Sequence, residues 1–366
     1  VRKIELTYTW SGRPGARLIR NALMDLLHAV RESGSISAAA KSMGLSYRHV
    51  WGELKRWEAE LGQALIVWDK GQPARLSEFG EKLLWAERQA QARLAPQIES
   101  LHADLERAFA VAFDETAHVL TLFASHDEGL GALREHAAND RLHLDVRFCG
   151  SVDAISALNE GRCAMAGFHT PRMPGSGTLA QRTYQPLLQP GRHKLIGFAQ
   201  RSQGLMTAPG NPLRLGSLAD LARADVRFVN RAIGTGTRVL LDQLLEEARI
   251  PAEAVQGYGY CEPSHTAVAQ AVASGLADTG LGIESAARAR GLHFVPLVCE
   301  DYYLVCLREA LEQPATQALL GVLRSAPWQA TLAGLSGYQP SHCGEVLSLR
   351  QQLPWWTFRR PKPPAS

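Results

Sequence analysis

Cysteine is scarce and scattered. The thiols of Cys149, Cys163, Cys261, Cys299, Cys306 and Cys343 include no C-x-x-C pair. That speaks against a zinc site or a disulfide framework and for reduced, mostly buried thiols. Long apolar runs are missing too: nothing approaches the ~20 residues a membrane helix requires. The opening VRKIELTYTW has no secretion-signal core. Net charge is only +3, so any basic surface must be local. No Walker loop, no G-x-S-x-G elbow and no spaced metal-ligand set is present. Ser-His occurs at 125–126 and 264–265, but chain neighbours rarely form a nucleophile–base pair. These absences point away from an enzyme, a metal or cofactor protein and a membrane protein, toward a cytoplasmic binding protein. At 366 residues there is room for two or three domains.

What is present begins at Gly34–Gly62, GSISAAAKSMGLSYRHVWGELKRWEAELG. Ser35 is placed to cap a short helix whose inward positions are Ile36, Ala39, Ala40 and Met43. The alanines let a second helix cross closely. Gly44 supplies a left-handed turn residue and Ser46 caps the second helix. In that helix Val50, Leu54, Trp57 and Leu61 make one apolar stripe. Another face carries Tyr47, Arg48, Trp51 and Lys55, a set suited to phosphates and base edges in a major groove. Leu65–Trp68 and Ala74–Leu76 read as a short hairpin, with Lys70 and Arg75 placed against backbone phosphate. Helix, turn, helix and hairpin predict a winged helix-turn-helix that binds duplex DNA as a dimer.

A strand over residues 3–10 and a helix from about Arg17 to Glu32 precede this element. From Glu78 to about Phe113 the chain reads as one long helix. Leu94, Ile98, Leu101, Leu105 and Ala108 there have coiled-coil spacing, and Pro96 should kink it. After His118 strands and helices alternate, which predicts a parallel sheet with helix N-termini gathered at one edge. Lys194–Ala199 and Gly204–Ala208 read as strands passing between two lobes, with Phe294–Val298 and Tyr303–Leu307 returning. The expected domains are 1–77 (winged helix), 78–115 (dimerisation helix), 116–353 (bilobed α/β) and 354–366 (a loose Pro/Arg-rich tail).

The run GSISAAAKSMGLSYRHVW…LSEFGEKLL resembles the N-terminal domain of ModE-type regulators and, more distantly, of LysR-type regulators. The phrases ASHD, GSVDAI…GFH, FVNRAIGTGTR and SHTAVAQAVASGLADTGLGI resemble the domain of type 2 periplasmic-binding-protein fold found fused to such heads. The resemblance implies a one-component transcriptional regulator that binds operator DNA as a homodimer or a dimer of dimers. It also implies molybdate or tungstate as effector, with molybdenum-uptake or molybdoenzyme genes as targets. ModE itself binds oxyanion with a different C-terminal domain, so formate, another small carboxylate or a pterin stays open as effector. Two readings from other classes are an oxyanion storage protein and a cofactor-handling enzyme.

The best small-ligand signal is Gly234-Thr235-Gly236-Thr237-Arg238, where glycines precede a helix and expose amides to an anion. Arg231 and Arg238 are candidate counter-charges, although either can simply pair with Asp242. Ser125 and Ser151 stand at strand-to-helix junctions of the first lobe. His126, His169, Ser264 and His265 lie at similar junctions, and Tyr303 is a weaker candidate to close the site.

Overall fold

The computed structural model describes residues 21–68, 73–113, 116–172 and 175–356. The strand expected at 3–10, the start of the first helix, Lys70 and the tail from 357 onward lie outside the described residues. The chain divides into two units, Val1–Ala95 and Pro96–Ser366.

In the first unit α1 (Ala22–Ser33) begins where the Asn21 side chain accepts from the Leu23 and Met24 amides, and ends at left-handed Gly34. α2 (Ile36–Ser42) and α3 (Tyr47–Leu61) start as their caps dictate. Ser35 Oγ accepts from Ala38 N at 3.1 Å and Ser46 Oγ from His49 N at 3.2 Å. Each such cap contributes roughly 1 kcal/mol. Gly44, at φ 67°, turns the chain so that Leu45 N donates to Ala40 O at 2.9 Å. Leu27, Ala39, Val50 and Leu54 meet in the core, fully buried. β1 (Ile66–Val67) and β2 (Arg75–Leu76) form the antiparallel wing. Glu58 of α3 accepts from the Leu65 and Ile66 amides at 2.8 and 3.1 Å and so ties helix to wing. Ser77 opens α4 (Glu78–Phe113) by accepting from Gly80 N. Pro96 does not interrupt α4, which is assigned as one helix through it. Leu101 on it is 55% exposed.

The second unit alternates β3 (His118–Ala124), α5 (Glu128–Ala138), β4 (Leu142–Phe148), α6 (Ser151–Asn159), β5 (Met165–Pro171) and α7 (Leu179–Tyr184). These make the first lobe. β6 (His193–Thr207) crosses to the second lobe, built from β7 (Phe228–Arg231), α8 (Gly236–Ala248), β8 (Cys261–Glu262), α9 (His265–Ala273), β9 (Thr279–Ile283) and α10 (Glu284–Arg288). β10 (His293–Leu307) returns. α11 (Pro314–Arg324), α12 (Ala326–Ala333), β11 (Tyr338–Pro340), β12 (Val346–Leu347) and α13 (Leu349–Gln352) complete the fold. The sheet order is β4-β3-β5-β10-β6-β9-β7-β8. β3 runs parallel to β4 and β5, β7 parallel to β8 and β9, and β6 and β10 are antiparallel.

Two expectations are corrected here. The crossing strands are single 15-residue strands, not pairs of short ones. The polar run Gln200–Gln203 lies inside β6, and Arg201 and Gln203 are buried there because Glu300 on β10 satisfies both. Nor is the tail loose at its start. Trp355 is buried in the first lobe, and its carbonyl accepts from Gln185 Nε2 and Gln181 Nε2.

Candidate functional site

The parallel strands of each lobe deliver polar residues to one edge, where ligands of such sheets bind. β3 leads into Ser125, β4 leads through Gly150 to Ser151 at the start of α6, and β5 carries His169. From the second lobe come Arg231 at the end of β7, the Gly234–Gly236 loop opening α8, and His265 opening α9. The lobes touch here. A Cβ added to Gly236 would sit 3.2 Å from Ser151 Oγ and 3.6 Å from His169 Nδ1, and one on Gly150 would sit 2.5 Å from Gly234 O. The approach requires glycine at 150, where the clash is with backbone; at 236 the Ser151 hydroxyl would have to give by a few tenths of an ångström.

One network runs through the floor. Thr237 Oγ1 accepts from Gln203 Nε2 at 3.0 Å and lies 3.4 Å from His265 Nε2. Gln203 Nε2 also donates to Glu300 Oε2 at 2.8 Å, which accepts from Arg201 Nε at 3.0 Å. Arg201 Nη1 donates to Asp127, which accepts from Tyr338 OH as well. Arg201 is therefore neutralised twice: burial works against its charge, but Glu300 and Asp127 outweigh that and raise its pKa.

Arg231 is the opposite case. It is 1% exposed, and among the described residues no carboxylate pairs with it. Nη1 donates only to the Glu262 carbonyl at 3.3 Å, and Nε has no partner. Burial first, and then Arg201, depress its pKa to about 9. The neighbouring imidazoles of His169 and His265 also have buried ring nitrogens with no hydrogen-bond partner among the described residues, and so do Ser125 Oγ, Gln203 Oε1 and Tyr302 OH on the strands and strand ends of this sheet. Ser151 Oγ and Tyr184 OH face each other without a well-formed bond. Native interiors leave few such groups unpaired, and each costs about 1–3 kcal/mol. So many at one interlobe edge mark a polar ligand site.

Both histidines are held neutral. Burial is the main cause, and for His169 Arg201 and Arg231 reinforce it; for His265 the order is Arg231, then Arg201. Which of Thr237 Oγ1 and His265 Nε2 donates depends on the imidazole tautomer, and His265 Nδ1 has no partner among the described residues. These depressed values predict acid sensitivity. The folded state resists protonation that the unfolded chain accepts below about 6.5, so stability falls as pH drops through that value. The loss is about 1.4 kcal/mol per pH unit for each histidine. His193, lowered to about 4 by burial and Arg192, adds a third. Denaturant melts at pH 7 and pH 5 check this, and a His169→Phe, His265→Phe double variant should flatten the slope.

Several sequence-expected site residues are engaged elsewhere. His126 turns to α4, with Nε2 3.2 Å from Glu99 Oε1 and its ring edge-on to Phe148. Arg238 pairs with Asp242 at 3.0 Å beneath the Tyr258 ring. Thr235 donates to Ala232 O and caps α8, while Ser264 caps α9 by accepting from Ala267 N at 3.0 Å. Tyr303 donates to Gln352 in a separate core; it is its neighbour Tyr302 whose ring lies 3.8 Å from that of His169. Contacts link Ser151, His169, Gly234, Gly236, Thr237, His265 and Arg231, while Ser125 stands just past β3 at the same sheet edge. Tyr184, Arg201, Gln203, Tyr302 and Glu300 join them, and no local motif announced these five.

In the first unit, Ser46, Tyr47, Arg48 and Arg75 are exposed, as a nucleic-acid face requires. Lys55 is less available than expected, because its ammonium is bonded to Glu58 at 2.6 Å and lies over Trp51 and Trp68.

Residues 133–324 match the PBP superfamily domain, just over half of the sequence. The chain belongs to that superfamily. Residues 22–81 match the bacterial regulatory helix-turn-helix protein domain of the lysR family. A LysR-type head on a PBP-like effector-binding domain makes the chain a DNA-binding transcriptional regulator, not an enzyme. The uncharacterized protein YvgK of Bacillus subtilis is 30% identical over 227 residues, 62% of this chain and 73% of that one. An uncharacterized protein from the 5′ region of a Clostridium pasteurianum 2Fe-2S ferredoxin gene is 32% identical over 111 residues, 30% of this chain and 98% of that one. Among solved structures, the LysR-family regulator CbnR aligns at 16% identity and TM-score 0.40, covering 82% of this chain and 97% of that one. A peroxide-bound OxyR mutant of Corynebacterium glutamicum aligns at 18% and 0.41, covering 82% and 92%. No helix among the described residues is long and apolar enough to cross a membrane.

Proposed function

We propose that this PBP-superfamily regulator acts in the cytoplasm as a one-component sensor of a small anion, with molybdate or tungstate as the leading effector and molybdenum-related genes as targets. The observation that carries the reading is Arg231, a fully buried guanidinium paired with no carboxylate among the described residues and lying near the neutral imidazoles of His169 and His265. Such a cation is stable only with a counter-ion. The donor set suits oxygens arranged around a centre: Arg231 Nε, Ser125 Oγ, Ser151 Oγ and His265 Nδ1. The α6, α8 and α9 N-termini open at the same edge and add partial positive charge. The Gly150–Gly234 and Ser151–Gly236 contacts leave the lobes close together, which favours an ion over a pterin. A small carboxylate such as formate is the second reading, since a guanidinium binds carboxylate bidentately.

A thermal-shift screen with molybdate, tungstate, sulfate, phosphate, formate and nitrate tests this. A ligand at about 100 times its Kd adds about 2.7 kcal/mol to stability. A rise with molybdate and tungstate supports the first reading, and one with formate alone moves the effector to a carboxylate. No rise with any of them removes the anion from the proposal.

Signal transfer is expected to use the contacts of α4 with the first lobe. Beside Glu99–His126, Arg134 Nη1 donates to Glu99 O at 3.3 Å and Arg147 pairs with Asp104 at 3.0 Å. His126 sits between Ser125 of the cleft and Asp127, the partner of Arg201, so a shift in either reaches α4. Glu99→Gln should retain the effector's thermal shift while reducing its effect on DNA affinity several-fold. Equal loss of both would show that the pair merely supports the fold.

A further inference from the structure

The DNA-reading face is aromatic where a phosphate-binding face would be cationic. Tyr47, the first residue of α3, is 52% exposed, and Trp51 lies one turn later. Their rings are 6.3 Å apart and nearly parallel, at 8°. Trp68, at the end of the wing strand and 49% exposed, continues the strip with its ring 5.0 Å from Trp51. Lys55 does not offset this, because its ammonium is spent on Glu58 and lies 4.8 and 5.4 Å from the Trp51 and Trp68 ring centres. Arg48 remains as the exposed cation of that helix start.

Aromatic surface contributes nothing to neutralising phosphate. In a major groove the apolar feature it can meet is the thymine 5-methyl group. We infer that Tyr47, Trp51 and Trp68 are specificity-determining residues that read thymine methyls in the operator, with Arg48 anchoring the helix beside them. Lys55 holds the two indoles in place through cation–π contact instead of contacting DNA. The strip lies within the lysR-family match at 22–81, so duplex DNA is the partner that covers it. The inference stands independently of which effector the other unit binds.

The test uses the full-length protein. Binding-site selection from a random duplex pool gives the preferred site, and each thymine in it is replaced by deoxyuridine, which removes only the methyl. The expected result is a cluster of thymines at which each lost methyl weakens binding about fourfold, the value of one buried CH2 group. Tyr47→Ala and Trp51→Phe should bind more weakly and lose the discrimination at specific positions of that cluster. Because Trp51 also touches the core, unchanged thermal melting is required of each variant, and exposed Tyr47→Ala carries the test if Trp51→Phe melts early. Equal affinity for thymine and deoxyuridine sites would overturn the inference, as would discrimination that survives in both variants. A single strand of the selected site outcompeting the duplex would overturn it too, since the rings would then be stacking on bases.

Discussion

Arg231→Met is expected to do two opposite things at once. It should abolish the response to the anion, weakening its binding by at least about 100-fold. It should also raise the melting temperature of the unliganded protein by about 4–8 °C. Both effects have one origin: the guanidinium is buried, pairs with no carboxylate among the described residues and has its pKa depressed to about 9. The sign is fixed by linkage. The unfolded chain holds this proton more tightly than the folded one, so the charge destabilises the fold at all pH values below about 9. Stability is regained only as pH rises from there toward the unfolded value. Each unit of depression corresponds to about 1.4 kcal/mol. Replacing a buried charge by an apolar side chain of similar length typically recovers about 1–4 kcal/mol. For a unit of this size about 2 kcal/mol is worth roughly 4–8 °C. Differential scanning fluorimetry with and without effector measures both effects. A variant that melts lower than wild type, or still responds, would mean that Arg231 has a counter-charge of its own.

The second large effect concerns lobe contact. Gly150→Ala places a methyl 2.5 Å from Gly234 O and 2.8 Å from Gly234 C, both backbone atoms that cannot rotate away. The lobes must separate at that point, taking Ser151 and α6 away from Gly236. Effector affinity should fall by about 10²-fold, as expected for donors displaced by about an ångström from a closed site. The DNA-binding unit should be untouched, so basal operator affinity stays at the wild-type value. Gly161→Ala is a control of a different kind: no atom lies within 4 Å of its added Cβ. It should cost only the strain of a non-glycine residue at φ 72°. If Gly150→Ala binds effector normally, the contact between the lobes is incidental to the site.

The helix-turn-helix was legible because its determinants are local. Ser35, Ser46 and Gly44 act on amides and carbonyls within five residues of themselves. The edge residues Ser125, Ser151, His169 and Arg231 were legible for a related reason: alternating strands and helices fix where strand ends gather. The partners that give the site its character were not, because they are distant in sequence. Arg201 meets Asp127 across 74 positions and Glu300 across 99, and Tyr338 reaches Asp127 across 211. Arg201, Gln203 and Glu300 lie inside the two long strands, and only their mutual pairing explains their burial. His126 looked like Ser125, its neighbour, yet the two diverge because successive residues point to opposite sides. Arg238 and Arg231 had equal standing as cations. The i,i+4 carboxylate Asp242 claims Arg238, and no carboxylate among the described residues claims Arg231.

Diffraction at the tungsten absorption edge, from crystals grown with tungstate, tests the central claim most directly. The account predicts one strong anomalous peak between the lobes, with its oxygens within hydrogen-bonding distance of Arg231, Ser151 and His265. A peak placed instead at Arg238 and Thr235, or none between the lobes while the crystals are otherwise isomorphous, would contradict it.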